Sequence, residues 1–199
     1  QSVRSQARYQ LFSREVLLWG NNIFLLTATL VVFLGTIYPL VHKELGLGSI
    51  SIGEPFFNSI FHILAIPFAL LLGLGPWVRW KQQPVTPLVR PFAFIAVVTA
   101  VIALGWVSLY QSFTANLALL GLLLGVWVMT SSVAEIGQKL RSFGGAVGLK
   151  KLTLSHWGMV FGHLGFAVLV IGVAMTKTFS VEKDVRMKIG DAVKLNEYS

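Results

Sequence analysis

The sequence contains no cysteine, which rules out a disulfide framework, a thiolate metal site and thiol redox chemistry, whichever compartment its loops face. Charge is nearly as scarce: Asp, Glu, Lys and Arg make up 12% of the 199 residues, against 55% hydrophobic residues and a mean hydropathy of +0.73. That leaves too little polar surface to cover a soluble domain of this size and indicates a polytopic membrane protein. Acidic residues are the rarest class, eight against sixteen basic, for a net charge of +8. Such a balance often marks a nucleic-acid binder, but here the charges sit between apolar runs and act as topology signals, so no nucleic-acid partner is expected. The basic, glycine-rich stretch RSFGGAVGLKK at 141–151 lacks the GKS or GKT ending of a phosphate-binding loop, which sets nucleotide binding aside. The N-terminal arm QSVRSQARYQLFSR has neither an initiator Met nor the apolar core of a signal peptide, and the chain is expected to begin within a longer protein. No internal repeat or low-complexity segment is evident.

What is abundant is apolar run length. Five stretches, at about 17–41, 57–78, 92–110, 117–134 and 157–176, match the roughly 20 residues that a helix needs to cross a ~30 Å hydrocarbon core. The connectors between them divide sharply in charge. Arg4, Arg8, Arg14, Arg79, Lys81, Arg90, Lys139, Arg141, Lys150 and Lys151 fall on one side, and only Lys43 on the other. The positive-inside rule then puts the N-terminus in the cytoplasm and the chain from residue 177 onward outside.

Pro39 stands at the outer end of the first run, where a missing backbone donor costs least, and Asn21 and Asn22 near its inner end read as interhelical hydrogen-bonding groups. The segment from Arg79 to Pro91, with Trp77 and Trp80 beside it and Pro84, Pro87 and Pro91 within it, reads as a plain inner loop next to an aromatic belt. The third and fourth runs carry no charge and read as scaffold. After Thr176 the pattern changes: Val181, Val185, Met187 and Ile189 partly alternate with charged residues, and Gly190-Asp191 offers a turn. This predicts the first strands of a β-rich external domain at 177–199.

The chemistry rests on the histidines. In SHWGMVFGHLGFAVLVIGVAMT at 155–176, His163 lies within a run otherwise as apolar as a membrane span, and an ionisable residue there is a functional candidate by default. At ~100° per residue, Gly158, Gly162, Gly165 and Gly172 form one stripe, expected to pack closely on another helix, while His156 and His163 share a different face. His163 falls ~9 Å into the membrane from the inner end of its run. His42 and His156 lie at interfaces, where an ordinary polar boundary role is preferred, and His62 lies in the outer leaflet about 15 Å from the depth of His163. An outer site shared by His42 and His62 stays a minor alternative. His156, seven residues from His163, is ~10.5 Å away along the axis. If a haem iron is held between His163 and a second imidazole, that second ligand lies outside this chain. Residue physics alone leaves hydrogen-bonded packing about as good a reading of His163 as metal ligation.

The pair Asn21-Asn22 and the strings LGTIYPLVHKELGLGSISIGEPFFN (34–58), PFALLLGLGPWVRW (67–80) and SHWGMVFGHLGFAVLVIGVAMTKTFSVEKDVRMKIGD (155–191) together resemble the C-terminal half of the CcmF family, the haem lyase subunit of bacterial cytochrome c maturation. The resemblance runs along nearly the whole chain. It implies a multi-pass bacterial inner-membrane protein with an external domain in the periplasm. In partnership with a haem chaperone and thioreductase-like subunits, such a protein joins haem to apocytochrome c. It further implies a membrane-embedded haem b reduced by quinol, with the histidine of the family's WGMxxxHLG segment, here His163, as one axial iron ligand. The other ligand and the external tryptophan-rich haem-contact segment belong to the family's earlier half, so the chain alone is expected to be inactive. Two readings from other classes compete: half of a transporter or channel, which calls for paired ionisable groups lining a path, and a non-haem scaffold subunit in which His163 only packs.

Overall fold

The computed structural model describes residues 13–81, 84–110 and 116–180. Their elements are α1 (Arg14–Glu44), α2 (Glu54–Leu74) with a 3₁₀ turn at Gly75–Trp77, α3 (Thr86–Tyr110), α4 (Asn116–Ser142) with a 3₁₀ segment at Gly145–Lys151, and α5 (Leu154–Phe179). All five α-helices are long and apolar enough to cross a membrane, and there is no strand among the described residues. The predicted strands at 181–199 lie outside the described residues. Residues 177–179, expected to open the external domain, still belong to α5.

Each helix starts before its apolar run, and α1, α4 and α5 also end after it, whereas α2 stops at Leu74, short of the expected 78; hydropathy reports the bilayer crossing while capping decides where a helix stops. Ser13 caps α1 by accepting from the Val16 N–H, and Thr153 caps α5 by accepting from the His156 N–H at 3.2 Å. Pro55 sits in the first turn of α2, where no backbone donor is needed. The expected loop up to Pro91 is shorter than read: α3 begins at Thr86 and absorbs Pro87 and Pro91 in its first two turns. Likewise α4 runs eight residues past the predicted end at 134 and carries Glu135 and Lys139 into the bundle.

The helices alternate in direction. At one end the Arg14 N–H donates to the Arg79 carbonyl, and the Lys81 N–H donates to the Glu15 carboxylate at 2.9 and 3.0 Å. The opposite end is joined by an ion pair between Glu54 of α2 and Lys177 of α5. The centre of the bundle is α4, half of whose span is buried, against 6–17% for the other four. It packs on α2, α3 and α5, and α1 lies outside against α2. Ala69, Leu124, Val128 and Ala167 form the main core, and Leu17, Val78 and Leu88 a second cluster nearer the Arg14 end.

Two expectations about packing are corrected. The glycine stripe of α5 is not the close-packing face: a Cβ built at Gly158, Gly162, Gly165 or Gly172 meets nothing within 4 Å. The close approach is supplied by α4, whose Gly121 and Gly125 sit against Ala174, Ile171 and the Ala167 carbonyl of α5, the small-xxx-small arrangement that lets two membrane helices touch. Trp77 is also more than a belt residue. Its indole N–H donates to Ser131 Oγ at 2.9 Å, and the Ser131 hydroxyl donates to the Gly73 carbonyl. Ser131 is fully buried; in Ser131→Ala the indole keeps the Ser131 backbone carbonyl at 3.2 Å but loses its shorter bond to the hydroxyl, and the Gly73 carbonyl loses the hydroxyl it accepted from. The substitution is expected to cost about 1–3 kcal/mol, read as earlier unfolding in detergent; an unchanged transition would show that water replaces the hydroxyl.

Candidate functional site

His163 stands in the middle of α5 and faces a cavity of about 160 Å³ between that helix, α1 and the end of α2. The periodicity of both helices places it there. On α5, Met159 and His163 are one turn apart. On α1, Arg14, Leu17, Leu18 and Asn21 follow the i, i+3, i+4, i+7 spacing of a single face, and all six residues line the same cavity.

Its tautomer follows from one contact. His163 Nδ1 lies 2.7 Å from the Met159 carbonyl oxygen. A carbonyl has no proton to give, so Nδ1 carries the hydrogen and donates it, and in the neutral ring the lone pair then sits on Nε2, available as an acceptor or metal ligand. Metal-binding histidines are commonly oriented in this way, through a hydrogen bond from the other ring nitrogen. Nothing in the sequence identifies that partner, since the bond depends on the side-chain rotamer one turn above its acceptor.

The other histidines separate. His62 lines a different and larger cavity of about 470 Å³, walled mostly by apolar side chains including Phe24, Phe61 and Phe166. Phe68 stacks edge-on against Phe166 and Glu54 pairs with Lys177. This antiparallel register puts His62 level with about residue 170, seven residues or ~10 Å along the axis from His163. The separation is smaller than the 15 Å expected from sequence, because α2 and α5 both start earlier than their apolar runs. It still exceeds the ~4 Å that two imidazoles on one iron require. His42 is engaged elsewhere: its Nδ1 lies 3.0 Å from the Gly48 carbonyl and its ring leans on Tyr38. Among the described residues no three His, Cys, Asp or Glu side chains come together as a metal cage. A bare ion would therefore find too few ligands here. A metal that arrives inside its own chelate needs only an axial nitrogen.

His156 is the residue that sequence reasoning underrated. With its side chain 9% exposed, it points Nε2 at Glu135 Oε2, 3.4 Å away, and Lys139 Nζ lies 2.8 Å from the other carboxylate oxygen and 3.1 Å from His156 Nδ1. Glu135 is only 3% exposed. The contacts are at ion-pair distance without hydrogen-bond alignment at the carboxylate oxygens. The charged pair, Glu135 with Lys139, lies within α4, and the buried imidazole of His156 closes on it from α5 as a polar clasp. The Glu-x-x-x-Lys spacing at 135 and 139 was the available signal, overlooked because it follows the apolar run.

No family model matches the chain. It is 48% identical over 204 residues to "Cytochrome c-type biogenesis protein CcmF" of Escherichia coli K12, covering 98% of this chain and 29% of that protein. The CcmF of Haemophilus influenzae is 43% identical, with 98% of this chain and 30% of the relative covered. A solved structure titled "Cytochrome c Heme Lyase CcmF" superposes with a TM-score of 0.63 at 22% identity, over 87% of this chain and 26% of its own, a likeness of fold. The chain spans about 30% of the length of the curated relatives it matches, less than the half that the resemblance of its motifs implied.

Proposed function

This chain belongs to the CcmF family of cytochrome c-type biogenesis proteins, and from that premise we propose that it forms a membrane-embedded part of a haem lyase in which His163 supplies one axial ligand to a b-type haem. The observation that carries the reading is the Nδ1 hydrogen bond to the Met159 carbonyl. Between the two neutral tautomers it selects the one with its hydrogen on Nδ1, which leaves Nε2 for a ligand, and it holds the ring against rotation.

When bound, haem supplies one-electron chemistry at iron whose potential depends on axial ligation and burial. The residues of this chain do the rest. His163 presents a nitrogen of set orientation, Met159 holds it, and the apolar walls from Leu17, Leu18 and Leu72 keep water from the ring. The second iron ligand would come from the part of the protein that this chain does not span. In the whole assembly, electrons from quinol, a haem chaperone and thioreductase-like subunits would serve attachment of haem to apocytochrome c on the periplasmic side, with the Arg14 end of the bundle in the cytoplasm. The isolated segment would be inactive. These assignments follow from the family and from the ten-to-one split of basic residues between connectors.

His163→Ala in the full-length protein is expected to remove the low-spin bis-histidine spectrum and reduce haem per protein, measured as the pyridine haemochrome, by tenfold or more. Adding imidazole to His163→Gly should restore part of the spectrum. Retention of the low-spin spectrum at full haem occupancy in His163→Ala would sink the assignment.

A further inference from the structure

We propose that Arg14 and Asn21 receive a carboxylate of the group that His163 ligates, so that one face of α1 decides which way round that group sits. The proposal rests on the haem reading of His163. Haem carries two carboxylate arms on one edge of an apolar ring, and an anion of this kind inside a helix bundle needs a cation or aligned donors.

The α1 face that lines the His163 cavity has matching chemistry in matching order. Arg14 stands at the helix N-terminus, Leu17 and Leu18 follow, and Asn21 stands two turns along. Both polar groups have capacity to spare. Arg14 lies over the Trp80 ring, 5.2 Å from its centroid, and has no carboxylate partner among the described residues, because the neighbouring Glu15 is engaged by the Lys81 N–H. Asn21 Oδ1 is buried with no hydrogen-bond partner, a cost that an incoming ligand relieves. Turned one way the amide accepts from a protonated carboxyl group; turned the other it donates to a carboxylate. The planar fork of Arg14, steadied by stacking on Trp80, suits two parallel bonds to a carboxylate better than a lysine ammonium would. At about 160 Å³ the cavity is below the ~300–1,000 Å³ of sites that enclose a whole cofactor-sized ligand. It accommodates one part of the group, and the remainder would lie against the rest of the protein.

The test compares haem with its dimethyl ester, in which both carboxylates are masked, each titrated into the haem-depleted full-length protein. Arg14→Gln is expected to weaken haem binding at least tenfold and ester binding less than twofold. Arg14→Lys should fall between, and Asn21→Leu should show a smaller loss in the same direction. The low-spin spectrum at saturation should persist, since His163 is intact. Equal weakening for haem and ester would assign Arg14 to folding and overturn the proposal. Unchanged haem binding in Arg14→Gln would overturn it too, leaving Arg14 as an interfacial anchor on lipid phosphate. A His163→Ala protein that keeps its low-spin spectrum would remove the haem reading itself, a failure distinct from any result at Arg14.

Discussion

Replacing Lys139 by Met and His156 by Leu together is expected to lower stability by about 3 kcal/mol, the lower end of the range for breaking a buried ion pair. The two substitutions strand the carboxylate of Glu135, which is 3% exposed and too short to reach water by changing rotamer. The lower end applies because Lys139 is itself 41% exposed, so part of the cluster already touches solvent. The reverse change should cost less. In Glu135→Gln the lysine can extend toward the interface and His156 can stay neutral, so less than half the loss is expected. Adding Glu135→Met to the first two changes should recover most of it, as seen when buried ionic groups give way to packed apolar ones. Unfolding of the full-length protein in detergent, followed by tryptophan emission, reads all three. A double variant that unfolds with the parent would mean that the carboxylate is hydrated and that the clasp does not hold α4 to α5.

That cluster also marks where the sequence stops being readable. The number of helices follows from run length, since few other structures satisfy five such apolar stretches. Their ends do not. The fourth run ends at Ala134, one residue before Glu135, and a charge reads as the end of a crossing, yet the helix continues to Ser142 because an α-helix tolerates charge wherever a partner neutralises it. The charged partner is Lys139, one turn on along the same helix, and the imidazole that buries the pair, His156, is supplied by a different helix, so its distance from Glu135 is a tertiary fact. The same holds for His163. Its depth and surroundings were visible as one ionisable residue in an apolar run, whereas the tautomer that turns Nδ1–H away from the cavity rests on a 2.7 Å contact to Met159. Periodicity likewise finds a glycine face without saying whether anything covers it: α5 displays four glycines on an open stripe, while the pair that brings two backbones together, Gly121 and Gly125, lies on α4.

That pair carries the last prediction. Gly125→Val is expected to destabilise the bundle by about 3 kcal/mol, the upper end of the penalty for overpacking. An added Cβ would lie 2.9 Å from the Ala167 carbonyl oxygen as well as against the Ile171 side chain. The side chain can move aside, but the carbonyl belongs to the α5 backbone and can yield only if the whole helix shifts. Gly137→Ala on the same helix is the control, because a Cβ there meets nothing within 4 Å. It should be neutral, or stabilising by up to about 1 kcal/mol through better helix propensity. The displacement has a consequence beyond stability. Ala167 is four residues from His163 along α5, so pushing α5 off α4 at that level moves Nε2, and an axial bond of ~2 Å tolerates little movement. In the full-length protein Gly125→Val should therefore lose low-spin haem at temperatures where the helices are still folded by circular dichroism, whereas Gly137→Ala should lose both together. If Gly125→Val matches the control in both measurements, α4 and α5 do not meet through these glycines, and the placement of His163 by that contact falls with them.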